Sequence, residues 1–290
     1  MNYFDFPIKE ITLADPQYPE ILKKITNPPQ RLYFRGNLCR KILEKSLAVV
    51  GSRRITSYGQ KVLDLLIPPL VAEGITIISG FMYGVDSLAH QKCLEFGGKT
   101  IAVFGCGLDV VYPPENEKLY NQILKTDGAV ISEYSPNTKP HLWTYSQRNR
   151  IMAGLSTLGV LVIEAGEESG SLITARFAKR FDKKVFAVPG PITSSVSAGT
   201  NWLIQQQQAL LVLSADDILG KKGEKSTKET QINLEPEEEK IFQVLEAEPL
   251  TVDEIAKSVG LDVAETGKIL TLMSLKNIIS EISGRYFLVH

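Results

Sequence analysis

The sequence predicts an α/β protein: an extended Rossmann-like, doubly wound and mostly parallel sheet, followed by a small winged-helix domain. Three observations predict it. Short apolar, β-branched runs alternate with helical patterns across residues 46–220, the mark of βαβ units. Glycines stand directly after several of those runs. A charged stretch with almost no large apolar residues, 221–233, then separates a closing segment patterned as three helices and a hairpin.

At roughly 150 residues per domain, 290 residues allow about two domains. The boundaries read from the pattern are a Pro-rich lead-in at 1–45, the Rossmann-like domain at 46–220, a linker at 221–233 and the winged-helix domain at 234–290. Hydrophobic residues make up 43% and charged residues 22%, an ordinary globular mix. The three cysteines, Cys39, Cys93 and Cys106, form no CxxC pair, which excludes a disulfide scaffold and a zinc site. No apolar run reaches the ~18 residues of a membrane span, and MNYFDFPIKE lacks a signal pattern. A cytoplasmic protein is expected. The net charge of −1 hides two opposite balances. Residues 1–233 hold 27 Lys and Arg against 22 Asp and Glu, net +5, while 234–290 hold 5 against 11, net −6. Phosphate binding is therefore expected in the first part.

In chain order, Pro16, Pro19, Pro28 and Pro29 leave room in the lead-in for one short helix near Pro19–Ile25 and an extended Arg31–Arg35. Strands are expected at Leu47–Val50, Thr76–Ser79, Thr100–Phe104, Ala129–Ser132, Gly159–Ile163, Lys184–Val188 and Ala209–Val212. Between them fall helices at Tyr58–Ala72, Ser87–Phe96, Asn116–Lys125, Gln147–Ser156, Leu172–Arg180 and Thr200–Gln207. In the closing segment Glu237–Leu245 is a helix. Thr251 and Glu254 make a capping box for a second helix that ends at Gly260, and Asp262 caps a third, with Glu265 at the box position. Ile278–Ile282, a Ser283-Gly284 turn and Tyr286–Val289 read as the hairpin.

In such a sheet ligands bind at the carboxyl ends of the strands. Three of those ends carry glycine beside Ser, Arg or another glycine: Gly51-Ser52-Arg53, Ser79-Gly80 with Phe81 and Gly84, and Gly105-Cys106-Gly107. Backbone N–H groups at helix starts, uncovered by side chains, suit an anion, and Arg53 adds a charge that can fork onto phosphate. Ser169-Gly170-Ser171 opens another helix in the same way. The segment Lys139–Arg150 mixes cations with aromatics, including Lys139, Trp143, Tyr145, Arg148 and Asn149. That mixture suits single-stranded nucleic acid; a loop that packs its rings inward is the competing reading. Arg148 and Arg150 cannot share a helix face. One is expected at phosphate and the other in a buried pair, and the spacing does not choose between them.

Several chemistries fail. Gly105-Cys-Gly107 lacks the third glycine of a dinucleotide fingerprint, so no NAD is expected, and no cofactor, metal or catalytic residue is assigned. Glu164, at a strand end, is placed either as a general base or as a structural acceptor, the latter being favoured. A Ser-His-Asp constellation could be drawn with Asp86 and His90, four apart at one helix start, but Asp86 reads better as a cap or a loop brace.

Taken together these segments resemble one family, the bacterial DNA-processing protein A (DprA, or Smf). The resemblance rests on Val50-Gly-Ser-Arg53 with Tyr58-Gly59, Ser79-Gly80 with Gly84-Val-Asp86, Thr100–Asp109 with Tyr112-Pro113, Arg148–Ser156, Glu164-Ala165 with Ser169–Ala175, Val185–Gly190 and Gly199–Asn201, spanning roughly residues 12–220. It implies a protein without catalysis that binds single-stranded DNA, forms a homodimer, protects incoming strands and loads the RecA recombinase in natural transformation. DNA is then expected against Gly51–Arg53 and Gly80, with Lys139–Arg150 beside it. The helical SAM-like domain that often precedes this fold is expected to be missing or reduced. Met82 and Tyr83 depart from the family pattern, as do Tyr145-Ser146, where a Phe-Pro pair is usual, and Gln208-Ala209. Two other classes compete. A nucleotide-processing enzyme of a related fold needs a Pro-Gly-Gly-x-Gly-Thr run, which Pro189-Gly190-Pro191 stops. Duplex reading by the winged helix needs a basic recognition helix, and residues 262–276 hold Asp262 and Glu265 against Lys268 and Lys276.

Overall fold

The structure, a computed structural model of the chain, describes residues 3–221, 234–246, 248–276, 278–282 and 284–288. The chain divides into two compact units, Met1–Lys222 and Gly223–His290. The expected linker lies, apart from Lys221, outside the described residues.

In the first unit the described strands form one sheet: β1 (Lys9–Thr12), β2 (Arg31–Gly36), β3 (Ser46–Val50), β4 (Thr76–Ser79), β5 (Thr100–Val103), β6 (Ala129–Ser132), β7 (Gly159–Val162), β8 (Val185–Ala187) and β9 (Leu210–Leu211). Their order is β1-β2-β6-β5-β4-β3-β7-β8-β9. From β6 to β9 every neighbour is parallel, while β2 runs antiparallel to β6 and β1 antiparallel to β2. The helices are α1 (Glu20–Lys23), α2 (Arg40–Leu43), α3 (Ser57–Ala72), α4 (Val85–Glu95), α5 (Glu117–Lys125), α6 (Leu142–Leu155), α7 (Gly170–Arg180), α8 (Ala198–Gln205) and α9 (Ala215–Leu219).

Period-two alternation sorts the strand side chains between the two faces. Ala48, Val50, Ile101, Val103, Val160 and Val162 join one core with α1, α6 and α7. Leu47, Val49, Leu161 and Ile163 join another with α3 and α4, and Ala102, Phe104 and Val130 pack on α5. Because both faces are covered, the strands read as continuous apolar runs. α3 continues through Pro68 and Pro69 because Leu66, Ile67 and Leu70 stay fully packed beneath it.

The structure corrects three expectations. The lead-in is part of the sheet: Leu32, Tyr33 and Phe34 are buried, and β2 hydrogen-bonds to β6. The expected extended segment Arg31–Arg35 is β2, and its pairing with β6 is what places the lead-in within the sheet. α6 begins at Leu142, five residues before the expected Gln147, because the Thr144 hydroxyl and the His141 backbone cap each other. Finally, α9 follows β9, started by a Ser214–Asp217 capping box.

The second unit holds α10 (Pro236–Leu245), α11 (Val252–Val259), α12 (Val263–Leu275), β10 (Ile279–Ile282) and β11 (Arg285–Leu288) around Ile241, Ile255, Leu270 and Met273. The Thr251 backbone donates to Glu254 at 2.8 Å, and Asp262 accepts from the Glu265 backbone at 2.9 Å. Ser283 of the expected turn and Val289 lie outside the described residues.

One buried group makes stability depend on pH. His90 is fully buried, with Nδ1 2.6 Å from the Thr100 hydroxyl, and burial pushes its pKa down to about 3. The unfolded chain takes up this proton near pH 6.5 and the folded chain does not. Stability is therefore lost as pH falls from about 6.5 toward 3, at about 1.4 kcal/mol per pH unit. Between pH 7 and pH 5 the protein should lose about 2 kcal/mol more than His90→Gln does. Both tryptophans, Trp143 and Trp202, belong to the first unit, so urea titrations followed by their fluorescence read it directly. Parallel pH profiles for the two proteins would contradict the assignment.

Candidate functional site

The strand order reverses between β3 and β7, and the loops that leave these two strands diverge to opposite faces. Such a switch point leaves a crevice at the carboxyl ends. A cleft of about 660 Å³ opens there. It is lined by Gly51, Ser52 and Arg53 after β3, Met82 and Asp86 after β4, and Gly166, Glu168, Ser169, Gly170, Ser171 and Thr174 after β7. α6 closes the remaining side with Leu142, Tyr145, Ser146, Arg148, Asn149 and Met152, spaced as one helical face.

The walls are held by close approach. The buried Glu164 carboxylate accepts from the Thr56 backbone at 3.0 Å and from the Thr56 hydroxyl, and Thr56 caps α3. Glu164 is thus the structural acceptor, tying the end of β7 to the start of α3. A Cβ on Gly59 would lie 2.7 Å from that carboxylate. The Val85 backbone donates to the Ser52 carbonyl at 3.1 Å, and Gly84, at φ +75°, leaves the room this needs. Replacing Glu164 by Ala strips two donors of their acceptor, at about 1–3 kcal/mol. The expected result is a lower urea midpoint and faster amide hydrogen exchange across 52–56. Unchanged exchange there would separate Glu164 from the loop.

Arg148 is 3% exposed, and its Nη1 donates to the Val103 carbonyl. It faces Asp86 across Gly80, where a Cβ would lie 2.3 Å from Arg148 Nη1 and 2.4 Å from Asp86 Oδ2. Burial lowers the Arg148 pKa, opposed by Asp86, and burial raises that of Asp86, opposed by Arg148. Both shifts run toward neutrality, as expected when desolvation outweighs the pair's attraction. Arg53, at the mouth, is exposed and makes no ion pair among the described residues. Its guanidinium lies 5.8 Å from the Tyr145 ring centroid, and that of Arg148 lies 5.9 Å from it. Arg148 Nε, the Tyr145 hydroxyl and the Thr174 hydroxyl are buried atoms without a hydrogen-bond partner. All three belong to this cleft's lining.

Of the residues singled out in the sequence, Gly51, Ser52, Arg53, Arg148, Asn149, Ser169, Gly170 and Ser171 meet in this one cleft. Gly80 and Gly84 lie beneath and behind it and act through packing. The Phe81 side chain is fully buried against Phe104, with ring centroids 4.9 Å apart, so it offers no stacking face. Lys139 is exposed before α6, and Trp143 is 57% exposed, stacked on His141 rather than lining the cleft. Arg150 is the member of the buried pair, bidentate on Glu133 at 2.6 and 2.7 Å. The glycine loop after β5 is covered: a Cβ on Gly107 would lie 2.1 Å from the Pro136 carbonyl, and one on Gly105 would meet Tyr145. That loop offers no anion site. Asp86, Tyr145 and Thr174 also line the cleft, although the sequence alone did not assign them to the DNA site. Tyr145 is three residues from Arg148 and would have been found by starting the helix at Leu142.

Two family models match the chain: DNA recombination-mediator protein A over residues 9–222, and the DprA winged helix domain over 225–285. The chain is 32% identical to the protein Smf of Synechocystis, over 94% of its own length and 78% of that protein's. The crystal structure of DNA processing protein A from Streptococcus pneumoniae is 42% identical, with a TM-score of 0.68 over 76% of this chain and 75% of that one. A structure of DNA processing protein A from Helicobacter pylori, described for its single-stranded DNA binding mode, is 30% identical, with a TM-score of 0.65 over 73% of this chain and 95% of that one.

Proposed function

This chain belongs to the DNA recombination-mediator protein A family, and from that premise we propose that its switch-point cleft holds single-stranded DNA without performing chemistry on it. The observation that carries the reading is the convergence of Arg53, Arg148 and Tyr145 with three unpartnered buried polar atoms in one cleft. Arg53 meets a phosphate at the mouth. Tyr145, with a guanidinium beside its ring, takes a base. The start of α7 adds donors and a favourable dipole for a second phosphate. Lys139 and Trp143 lie outside the cleft, where they meet flanking nucleotides.

The strand so held is protected and delivered to RecA, the mediator step of natural transformation in the cytoplasm. A homodimer fits the exposed edge at β9, where Trp202, Leu210, Leu211 and Leu213 are 44–68% exposed. A sedimentation mass of one chain would contradict it. Among the described residues no helix is long and apolar enough to cross a membrane. The winged helix is assigned no duplex. α12 exposes Val263, Leu272 and Leu275, and its Lys276 is engaged by Glu238 at 2.7 Å.

The test is a salt titration with single- and double-stranded oligonucleotides of equal length, without nucleotide or metal. Tighter binding of the single strand, falling as salt rises, is expected. Equal affinity for both, or no salt dependence, would contradict the proposal. Release of a free base from nucleoside monophosphates would revive the enzymatic alternative.

A further inference from the structure

Two exposed rings continue from the cleft along the carboxyl end of the sheet. Tyr112, in the segment between β5 and α5, is 38% exposed, with its ring centroid 6.2 Å from that of Tyr145 at a 45° tilt. Tyr83, between β4 and α4, is 41% exposed, and its hydroxyl donates to Glu115 at 2.7 Å. The hydrogen bond to Glu115, followed by desolvation, raises the Tyr83 pKa. Neither residue lines the cleft.

We propose that Tyr112 and Tyr83 form a base-stacking track that receives the nucleotides leaving the cleft at Tyr145. The inference rests on the cleft holding single-stranded DNA. Aromatic faces accept any base, so the track prolongs binding without reading sequence. The hydrogen bond to Glu115 fixes the Tyr83 ring in advance, and less side-chain freedom is lost on binding. The Glu115 carboxylate repels phosphate at close range. The strand therefore turns its bases toward this rim and its backbone toward solvent, the reverse of its posture at Arg53.

The experiment compares two thymidine oligonucleotides of about twelve nucleotides, within the usual site size, by fluorescence anisotropy. One is intact; the other is abasic outside a central run of about four bases, so phosphates are equal and only outer bases differ. The unaltered protein should prefer the intact strand by at least about tenfold, the value of one stacked base. Tyr83→Ala combined with Tyr112→Ala should remove most of this preference, any remainder being that of Trp143, and Tyr83→Phe should restore part of it on a Tyr112 background. A ratio that the double variant leaves intact overturns the track. So does an unaltered protein that binds both strands equally, although the cleft reading then stands. An unaltered protein that binds neither strand overturns both.

Discussion

Replacing Arg53 by Ala should weaken single-stranded DNA binding about tenfold to a hundredfold, the range of a charge-assisted hydrogen bond. The effect is large because Arg148, the other cleft arginine, is buried, bonded to Val103 and opposed by Asp86. Arg53 is the exposed lining cation, and it makes no ion pair among the described residues. A lost phosphate contact also carries a signature in salt. The slope of log affinity against log salt should fall by about 0.7 for a single strand. Arg53→Lys should restore the slope better than the affinity, because an ammonium supplies charge without the planar fork. The residue is exposed, so the folded state should be unaffected. Arg53→Ala binding like the parent at two salt concentrations would remove the phosphate role.

Gly80→Ala should abolish binding while leaving a folded protein. The added carbon falls 2.3 Å from Arg148 Nη1 and 2.7 Å from its Cζ. The guanidinium must then leave the Val103 carbonyl and its place opposite Asp86, which strips one cleft wall of its cation. Overpacking of this kind costs about 1–3 kcal/mol. Gly267, in α12, is the contrast: a Cβ there meets nothing within 4 Å. Gly267→Ala should stabilise by about 0.5–1 kcal/mol through helix propensity and leave binding unchanged. Thermal unfolding beside anisotropy separates the two. A Gly80→Ala protein that binds normally would show that Arg148 has no part in the site.

How much was legible follows from what each signal reports. The parallel strands were readable because both faces are buried, so apolar runs such as Leu47–Val50 and Ala129–Ser132 stand out without tertiary information. The cleft was half readable. Gly51–Arg53 and Ser169–Ser171 announce themselves locally, as small or charged residues at strand ends and helix starts. The glycine after β5 carries the same local signal and means something else, because the Ser135–Pro136 carbonyls that cover Gly107 are distant in sequence. Phe81 was misassigned for a related reason: its backbone sits at φ +65° at a strand end, while its ring turns into the core. Choosing between Arg148 and Arg150 needed the position of Glu133, set by β6 rather than by the helix itself. Tyr145 was read within the aromatic segment but not placed beside Arg148, because the helix start was set five residues late. The extended Arg31–Arg35 was legible, but its place in the sheet was not, because the antiparallel pairing with β6 joins residues about a hundred positions apart.

The central claim is that the strand lies in the cleft of the first unit, with a base against Tyr145. Photochemical cross-linking of an oligonucleotide carrying iodouracil, followed by peptide mapping, tests it most directly. The account predicts the main adduct on Tyr145, within the Leu142–Leu155 helix, and its loss in Tyr145→Ala. Adducts concentrated instead on α12 or the β10–β11 hairpin, with none in the first unit, would contradict it.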